Sequence, residues 1–417
     1  MAGRDARPTA PVIEQGSTPA PLADVDAKAM GEALAAMGAD GWLLFDFRHV
    51  NPVAGRVLGE QAVGMGTRRL FVLLPRSGRP VALAHRIEQH ALAGFPGEVR
   101  PYSSWRELHA ELRPLVEKRT VAMEVSPADA VPYLDRVPAG VVELVQSLGG
   151  KVVSSAPLVT RFAARWSASE LEGHRRAASA LAEIAGEALR WAGAENARGA
   201  EVRETTVQRR VLDAFERAGL VTDDPPIAAF QENSALPHYQ PQAGSDRRLQ
   251  SGQVVLLDLW AGPRIGTVFA DQTWMAFTGR TPDAEVMRVW DAVWRARTAV
   301  VERLSERWSA GAQNVTGITG AELDDVARGV IREAGFGAQF VHRTGHSIDR
   351  ELHGSGPHLD NFETADTRAL MAGVGFSVEP GVYLPGRFGM RSEINVYLGE
   401  AGPEVTPPTP QTELLLV

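Results

Sequence analysis

Four short apolar runs, each carrying a single carboxylate, constrain this chain more than any other feature. They are Val254–Trp260 with Asp258, Thr267–Trp274 with Asp271, Phe376–Gly381 with Glu379, and Met390–Val396 with Glu393. Each has the aliphatic texture of a buried strand. A carboxylate set among buried strand residues must be desolvated, which is costly unless a counter-charge is supplied. One such acid is readily explained as the wet face of an amphipathic hairpin. Four separate runs of the same kind argue for a shared counter-charge. The first two are joined by Gly262-Pro263-Arg264-Ile265-Gly266, a stretch of turn composition, and a hairpin of this length places Asp258 and Asp271 side by side on neighbouring strands. A divalent cation compensates such a pair well.

Histidine concentrates in the same part of the chain, at His342, His346, His353 and His358. Gly345, just before His346, permits a close backbone approach or an unusual turn. A lone histidine is more often a hydrogen-bonded structural residue, but several beside the acids favour a site. The chain contains no cysteine, so any metal must sit on oxygen and imidazole donors. Four carboxylates and one imidazole suit two divalent ions, and a bridging hydroxide then leaves a small negative remainder. Such a pair holds a hydroxide nucleophile at neutral pH and polarises a carbonyl. Oxygen-rich ligation favours Mn²⁺, with Co²⁺ or Zn²⁺ as alternatives.

At 417 residues the chain exceeds one ordinary core, so two domains are expected. Residues 1–24 are rich in Ala, Pro, Ser and Thr without periodicity and read as a mobile tail. Over 25–157, strands at Trp42–Phe45, Leu70–Leu74, Val81–Leu83 and Thr120–Met123 alternate with helical stretches at Ala27–Met37, Trp105–Lys118 and Ala128–Leu134, an α/β pattern. Over 158–417 the texture is α+β, with helices outside and an antiparallel sheet within. That part opens on a long Ala-rich helix reaching about Ala192, with Ser167 as N-cap and Glu170 completing a capping box. Further helices are expected near 200–218, 282–308 and 320–334. Trp191, Trp290 and Trp294 fall at helical spacing and read as core. The net charge of −8 argues against a nucleic-acid partner. No apolar run has the length to span a bilayer, and none follows Arg4 and Arg7, so no membrane partner is expected and cytoplasmic residence is the default.

The order Asp258, Asp271, His346, Glu379, Glu393 resembles that of the creatinase/prolidase/aminopeptidase P family, the pita-bread metallopeptidases of peptidase family M24. Asn233–Tyr239 is similar to that family's N-x-x-x-P-H segment and Gly345–His353 to its G-H-x-x-G-x-x-x-H, with Asp349 where glycine is common. Glu379–Tyr383 is similar to its E-P-G-x-Y and Arg391–Glu393 to its R-x-E. The likeness runs from about residue 25 to the C-terminus and is strong over 230–397. It implies a pita-bread catalytic domain over 158–417, an N-terminal α/β creatinase-like domain over 25–157, and a homodimer. It also implies a dinuclear-metal Xaa-Pro peptidase, of aminopeptidase P or prolidase type. Such an enzyme cleaves short peptides with proline at the second position, using a metal-bridging hydroxide.

Carried over residue by residue, the resemblance makes Asp258 a bidentate ligand of one metal and makes Asp271 and Glu393 bridging ligands. His346 and Glu379 complete the second metal, and Glu379 also shuttles the proton to the leaving amine. His238 and His353 hold the substrate carbonyl and stabilise the oxyanion. His342 lines the site in some relatives, and Arg391 pairs with a metal-bound carboxylate beside the substrate. His358, close to Asp360, reads as structural. Two departures stand out: Trp274 replaces the arginine of D-x-T-R-T, and Leu259-Trp260 follows the first ligand where small residues are common. Both tryptophans are expected to shape the wall beside the metals. They keep a second reading open, a hydrolase or lyase of the same fold acting on a small non-peptide substrate.

Overall fold

The computed structural model describes residues 20–309 and 317–417, so most of the expected tail lies outside the described residues. The part of it that is described is packed: Pro21 is buried and the Leu22 amide donates to the Leu58 carbonyl at 3.2 Å. Two compact units follow. One comprises the chain up to Met123 together with Val137–Val153, the other Glu124–Arg136 together with Ser154–Val417.

The first unit contains helix α1 (Ala27–Ala36), strand β1 (Gly41–Asp46), α2 (Pro52–Leu58), β2 (Leu70–Pro75), β3 (Val81–His85), β4 (Glu98–Tyr102), α3 (Trp105–Val116), β5 (Thr120–Met123), α4 (Ala139–Ser147) and β6 (Lys151–Ser154). The strands form one sheet in the order β4-β3-β2-β1-β5-β6. The sheet is mixed, because β1 pairs antiparallel with β2 and parallel with β5. Every residue of β1 is buried, as expected for a central strand covered on both faces. The helix expected over Ala128–Leu134 is absent. Pro127 and Pro132 lack the amides a helix needs, and Ala128 and Asp129 have φ of 54° and 56°. Two short 3₁₀ turns stand there instead, and they cluster with the second unit.

The second unit is α+β. Among the described residues its helices are α5 (Ala156–Phe162), α6 (Ala168–Ala197), α7 (Glu204–Arg217), α8 (Ala284–Ser309) and α9 (Gly320–Glu333). The α6 capping box is present: Ser167 Oγ accepts from the Glu170 amide at 3.2 Å and Glu170 Oε2 from the Ser167 amide at 2.8 Å. The strands are β7 (Ile227–Phe230), β8 (Val254–Ala261), β9 (Ala270–Phe277), β10 (Ser347–Ile348), β11 (Gly375–Val378), β12 (Gly381–Leu384), β13 (Phe388–Arg391), β14 (Ile394–Gly399), β15 (Gly402–Thr406) and β16 (Leu415–Leu416). They form sheets β16-β9-β8-β7 and β10-β11-β14-β15 and the ribbon β12-β13.

Alternation along β8 separates two environments. Val255, Leu257, Leu259 and Ala261 pack against residues of α6 and α7, whereas Val254, Leu256 and Trp260 join the core shared with α8 and α9. Asp258 lies on the second face. As expected, Trp290 is a core residue, and Trp191 and Trp294 pack against the two clusters.

Two of the apolar runs are not single strands. β11 ends at Val378 and β12 begins at Gly381, while β13 ends at Arg391 and β14 begins at Ile394. The pairings Val378↔Ile394 and Gly381↔Arg391 flank the break, so Glu379-Pro380 and Ser392-Glu393 interrupt both sides at one level. Pro380 has no amide to donate to a ladder, which ends regular pairing there. Glu379 and Glu393 therefore sit where the chain crosses between the four-stranded sheet and the ribbon.

Candidate metal centre

The β8–β9 hairpin supplies the first two acids. Asp258 pairs with Thr273 and Asp271 with Trp260, so the two aspartates are diagonal neighbours on one face rather than directly opposite. The turn between them does not centre on the midpoint, which shifts the register by two residues. Both are buried, at 6% and 5% exposure. Asn395 ties this hairpin to the other sheet: its Oδ1 accepts from the Asp271 amide at 2.9 Å and its Nδ2 donates to the Asp271 carbonyl at 2.8 Å. That link carries Asp271 towards Glu393, two residues before Asn395.

His346 approaches from the loop before β10. A Cβ on Gly345 would stand 2.0 Å from the Ser377 carbonyl oxygen, so only glycine allows this segment to lie against β11. The close-approach alternative raised by the sequence is therefore the one realised. Ser377 Oγ accepts from the His346 amide at 2.9 Å and donates to Glu379 Oε1 at 3.0 Å. His346 Nδ1 lies 3.1 Å from the Ser347 carbonyl, which leaves Nε2 facing Asp271 Oδ2 at 3.3 Å and Glu379 Oε1 at 3.4 Å. Donor atoms of Asp271, His346 and Glu393 lie within 4.8 Å of one another, a group able to hold a metal ion. Glu393 Oε1 is buried without a hydrogen-bond partner, an orphan a cation would satisfy.

Electrostatics agree with that geometry. Burial raises Asp258 to about 6, with Asp271 and Glu379 adding to the rise and Arg391 opposing it. Burial and then Glu379 push Asp271 up to about 8. Glu393 is driven well above the usual carboxylate range by burial, Asp271 and Glu379. Glu379 is also penalised by burial, but His346, Arg391 and His342 outweigh it and hold it at about 2. Acids forced towards the neutral form by burial and mutual repulsion are ones that a bound dication would return to the ionised form. The donor set fits divalent metal.

Arg391, 4% exposed, forms an ion pair with Asp258, and its Nε donates to Thr273 Oγ1 at 2.7 Å. Thr273 in turn donates to Glu393 Oε2 at 2.7 Å. His342 is half-buried and neutral: its Nδ1 donates to the Arg343 carbonyl at 2.7 Å, so Nε2 accepts from the Tyr383 hydroxyl at 2.8 Å. Burial holds it down at about 4. His353 packs edge-on to His346 with ring centroids 4.3 Å apart, and that neighbour, with desolvation, keeps it at about 3. Its loop is organised by Asp349, whose Oδ1 accepts from the Glu351 amide at 2.9 Å and Oδ2 from the Ser355 amide at 2.8 Å. His358 is structural, as expected, accepting from the Ser347 amide at 3.1 Å.

These side chains open onto a cavity of about 1240 Å³. All of the expected site residues line it: His238, Asp258, Asp271, His342, His346, His353, Glu379, Arg391 and Glu393. Trp260 is in its wall, with Nε1 bonded to Asp223 Oδ1 at 3.0 Å. Trp274 is not. It pairs with Leu257, points to the opposite face of the hairpin, and packs with the α6–α7 cluster. The expectation that both tryptophans flank the metals is thus corrected by the period of two along β9. Sequence reasoning missed Thr273, Ser377 and Asn395. Their position two residues from a candidate ligand, on the same strand or its continuation, was the available signal.

A buried cluster of acids and one histidine at the centre of an α+β unit, opening to a peptide-sized cavity, defines a metal-dependent hydrolase. The chain belongs to metallopeptidase family M24, whose profile matches residues 172–400. It is 26% identical over 340 residues to the probable dipeptidase PepE of Mycobacterium tuberculosis, covering 80% of this chain and 82% of that one. It is 30% identical over 220 residues to the Xaa-Pro dipeptidase of Pyrococcus furiosus, covering 53% and 57%. The crystal structure of dipeptidase PepE from Mycobacterium ulcerans aligns with a TM-score of 0.70 at 24% identity, over 94% of this chain and 96% of that one. The pita-bread fold with its N-terminal creatinase-like part is accordingly that of this protein. No helix among the described residues is long and apolar enough to cross a membrane.

Proposed function

We propose that this protein is a dinuclear-metal Xaa-Pro peptidase that hydrolyses the bond before proline in short peptides. The carrying observation is that Asp258, Asp271, His346, Glu379 and Glu393 converge on one cavity large enough for a peptide. Asp271, His346, Glu379 and Glu393 would hold one ion, and Asp258 with the shared acids a second. Mn²⁺ is the preferred ion for this oxygen-rich set, with Co²⁺ or Zn²⁺ as alternatives. When bound, divalent ions supply Lewis-acid polarisation and lower the pKa of water.

The chain's own residues do the rest. Glu379, held ionised by His346 and Arg391, takes a proton at its carboxylate and returns it to the leaving nitrogen. His238 and His353 line the same cavity and donate to the carbonyl oxygen as charge develops there. Arg391 and Thr273 hold Asp258 and Glu393 in place. A homodimer and cytoplasmic residence belong to the same proposal. The second reading, a small non-peptide substrate, keeps Trp260 in its favour and loses Trp274, which faces away from the cavity. The test is hydrolysis of Xaa-Pro dipeptides, Xaa-Pro-Xaa tripeptides and non-proline controls after chelation and re-addition of each metal, with bound metal counted by atomic spectroscopy. Metal-restored cleavage confined to the bond before proline is the expected result. A protein carrying two ions that cleaves none of these peptides would move the assignment to the second reading.

A further inference from the structure

Glu204 is a fully buried acid that the metal centre does not use. It opens α7, and no cation among the described residues pairs with it. Arg203 meets Glu201 at 2.7 Å and Asp246 at 3.4 Å, and Arg247 meets Glu232 at 2.7 Å. A carboxylate desolvated without a counter-ion is tolerated only when donors fill its lone pairs. Glu204 Oε1 accepts from the Phe230 amide at 2.7 Å and from Asn233 Nδ2 at 3.0 Å. Its Oε2 accepts from Asn233 Nδ2 at 3.0 Å, the Tyr239 hydroxyl at 2.6 Å and the Arg247 amide at 2.8 Å. These partners occupy the roughly four lone-pair sites a carboxylate offers. Its place in the first turn of α7 adds the favourable end of the helix dipole.

Two of these donors bracket His238. The imidazole of His238 is exposed to the cavity and makes no hydrogen bond among the described residues. Nothing on the ring itself therefore fixes where it stands, and its position is inherited from the backbone. That backbone is tied to one carboxylate on both sides of His238, through Asn233 and through Tyr239. Between the ties the Tyr239 amide donates to the Leu236 carbonyl at 3.0 Å, closing a turn, and Pro237 restricts the chain just before the imidazole. Ser234 Oγ accepts from the Gly389 amide at 2.9 Å, which docks the same segment on β13. The segment is thus held against β13 at Ser234 and against α7 at its two ends.

We propose that Glu204 is a positioning residue for His238: it draws Asn233 and Tyr239 onto one carboxylate and so sets the imidazole where the substrate carbonyl is held. This rests on the peptidase reading above, in which His238 donates to the carbonyl oxygen as charge develops. A misplacement of about 1 Å at such a donor can cost on the order of 100-fold in rate. The Tyr239 tie is the more direct one, because that residue follows His238 in the chain.

The experiment measures kcat and KM of the full-length, metal-loaded protein on alanyl-proline and alanyl-prolyl-alanine. The proteins are wild type, Tyr239→Phe, Glu204→Gln, His238→Ala and the double variant Tyr239→Phe with His238→Ala, with circular dichroism and metal content recorded for each. Tyr239→Phe keeps the ring and removes only the hydroxyl, so the test stands even if Glu204→Gln does not fold. Tyr239→Phe should lower kcat by roughly 10-fold with KM and metal content unchanged, the pattern of an interaction made in the transition state. On the His238→Ala background the same change should add no further loss, since the two act through one imidazole. Glu204→Gln, where it folds, should behave as Tyr239→Phe does. Equal losses with and without the His238 imidazole would make Glu204 a general structural anchor and overturn the proposal, and so would wild-type kcat in Tyr239→Phe. A His238→Ala protein as active as wild type overturns it as well and leaves the peptidase reading standing. A wild type that cleaves neither substrate takes down the peptidase reading itself, and this inference with it.

Discussion

His174 offers a test of the packing that holds the metal-ligand hairpin. It is fully buried on α6, with Nδ1 3.0 Å from the Phe269 carbonyl and Nε2 2.8 Å from Thr406 Oγ1. A carbonyl only accepts, so Nδ1 carries the proton and Nε2 accepts from the Thr406 hydroxyl. Phe269 lies two residues before Asp271, so this neutral imidazole anchors the start of β9. Burial lowers its folded pKa from 6.5 to about 4; the Phe269 carbonyl and Glu404 oppose the drop, and Arg175 adds to it. Above pH 6.5 neither folded nor unfolded His174 binds a second proton. As the pH falls from 6.5 towards 4 the unfolded chain gains that proton and the folded one does not, so stability is lost over this window. At 1.36 kcal/mol per unit the loss is about 3 kcal/mol. Replacing His174 by Gln keeps one donor and one acceptor and removes the titration. Urea unfolding of wild type and His174→Gln between pH 4 and 8, in chelator, should show the difference in unfolding free energy shifting towards the variant by about that amount as the pH drops. Parallel pH profiles for the two proteins would show that His174 is protonated, or accessible to protons, in the native state.

Three further outcomes are expected. Asp271→Asn or Glu393→Gln should remove activity and lower the bound-metal stoichiometry, because a carboxylate in the cluster loses its charge; near-wild-type turnover in either would exclude it as a shared ligand. His353→Ala should keep its metal and lose about 100-fold in kcat, as removal of an oxyanion donor does, and loss of metal instead would assign His353 to the ligand set. Trp260→Ala should change KM across a peptide series while Trp274→Phe leaves it unaltered, since only the first lines the cavity; equal effects from both would contradict the strand register.

Much of the site was legible because its chemistry is written in residue types. A carboxylate inside an aliphatic strand run is rare enough to be informative without coordinates, and Asp258, Asp271, Glu379 and Glu393 all lie at the cavity. The capping box at Ser167 and Glu170 and the core role of Trp290 were equally local properties, set by spacing along one element. What spacing could not supply was register. Whether Asp258 opposes Asp271 or lies diagonal to it depends on where the hairpin turn closes, and whether Trp274 faces the metals depends on a parity that the motif does not state. The break between β11 and β12 was masked by the continuous apolar run, although Pro380 marked it.

The sequence by itself determined the candidate donor residues, the α+β architecture and the family, because these follow from which residue types recur and in what order. Only the tertiary structure decided how sheets distant along the chain meet: Asn395 clasping the Asp271 backbone, and Ser377 holding both His346 and Glu379. Those relations reach along the chain: Asn395 and Asp271 are 124 positions apart, and Ser377 and His346 are 31 apart. They exist only once burial has closed the chain on itself, since no local propensity encodes the partner of a side chain across a fold.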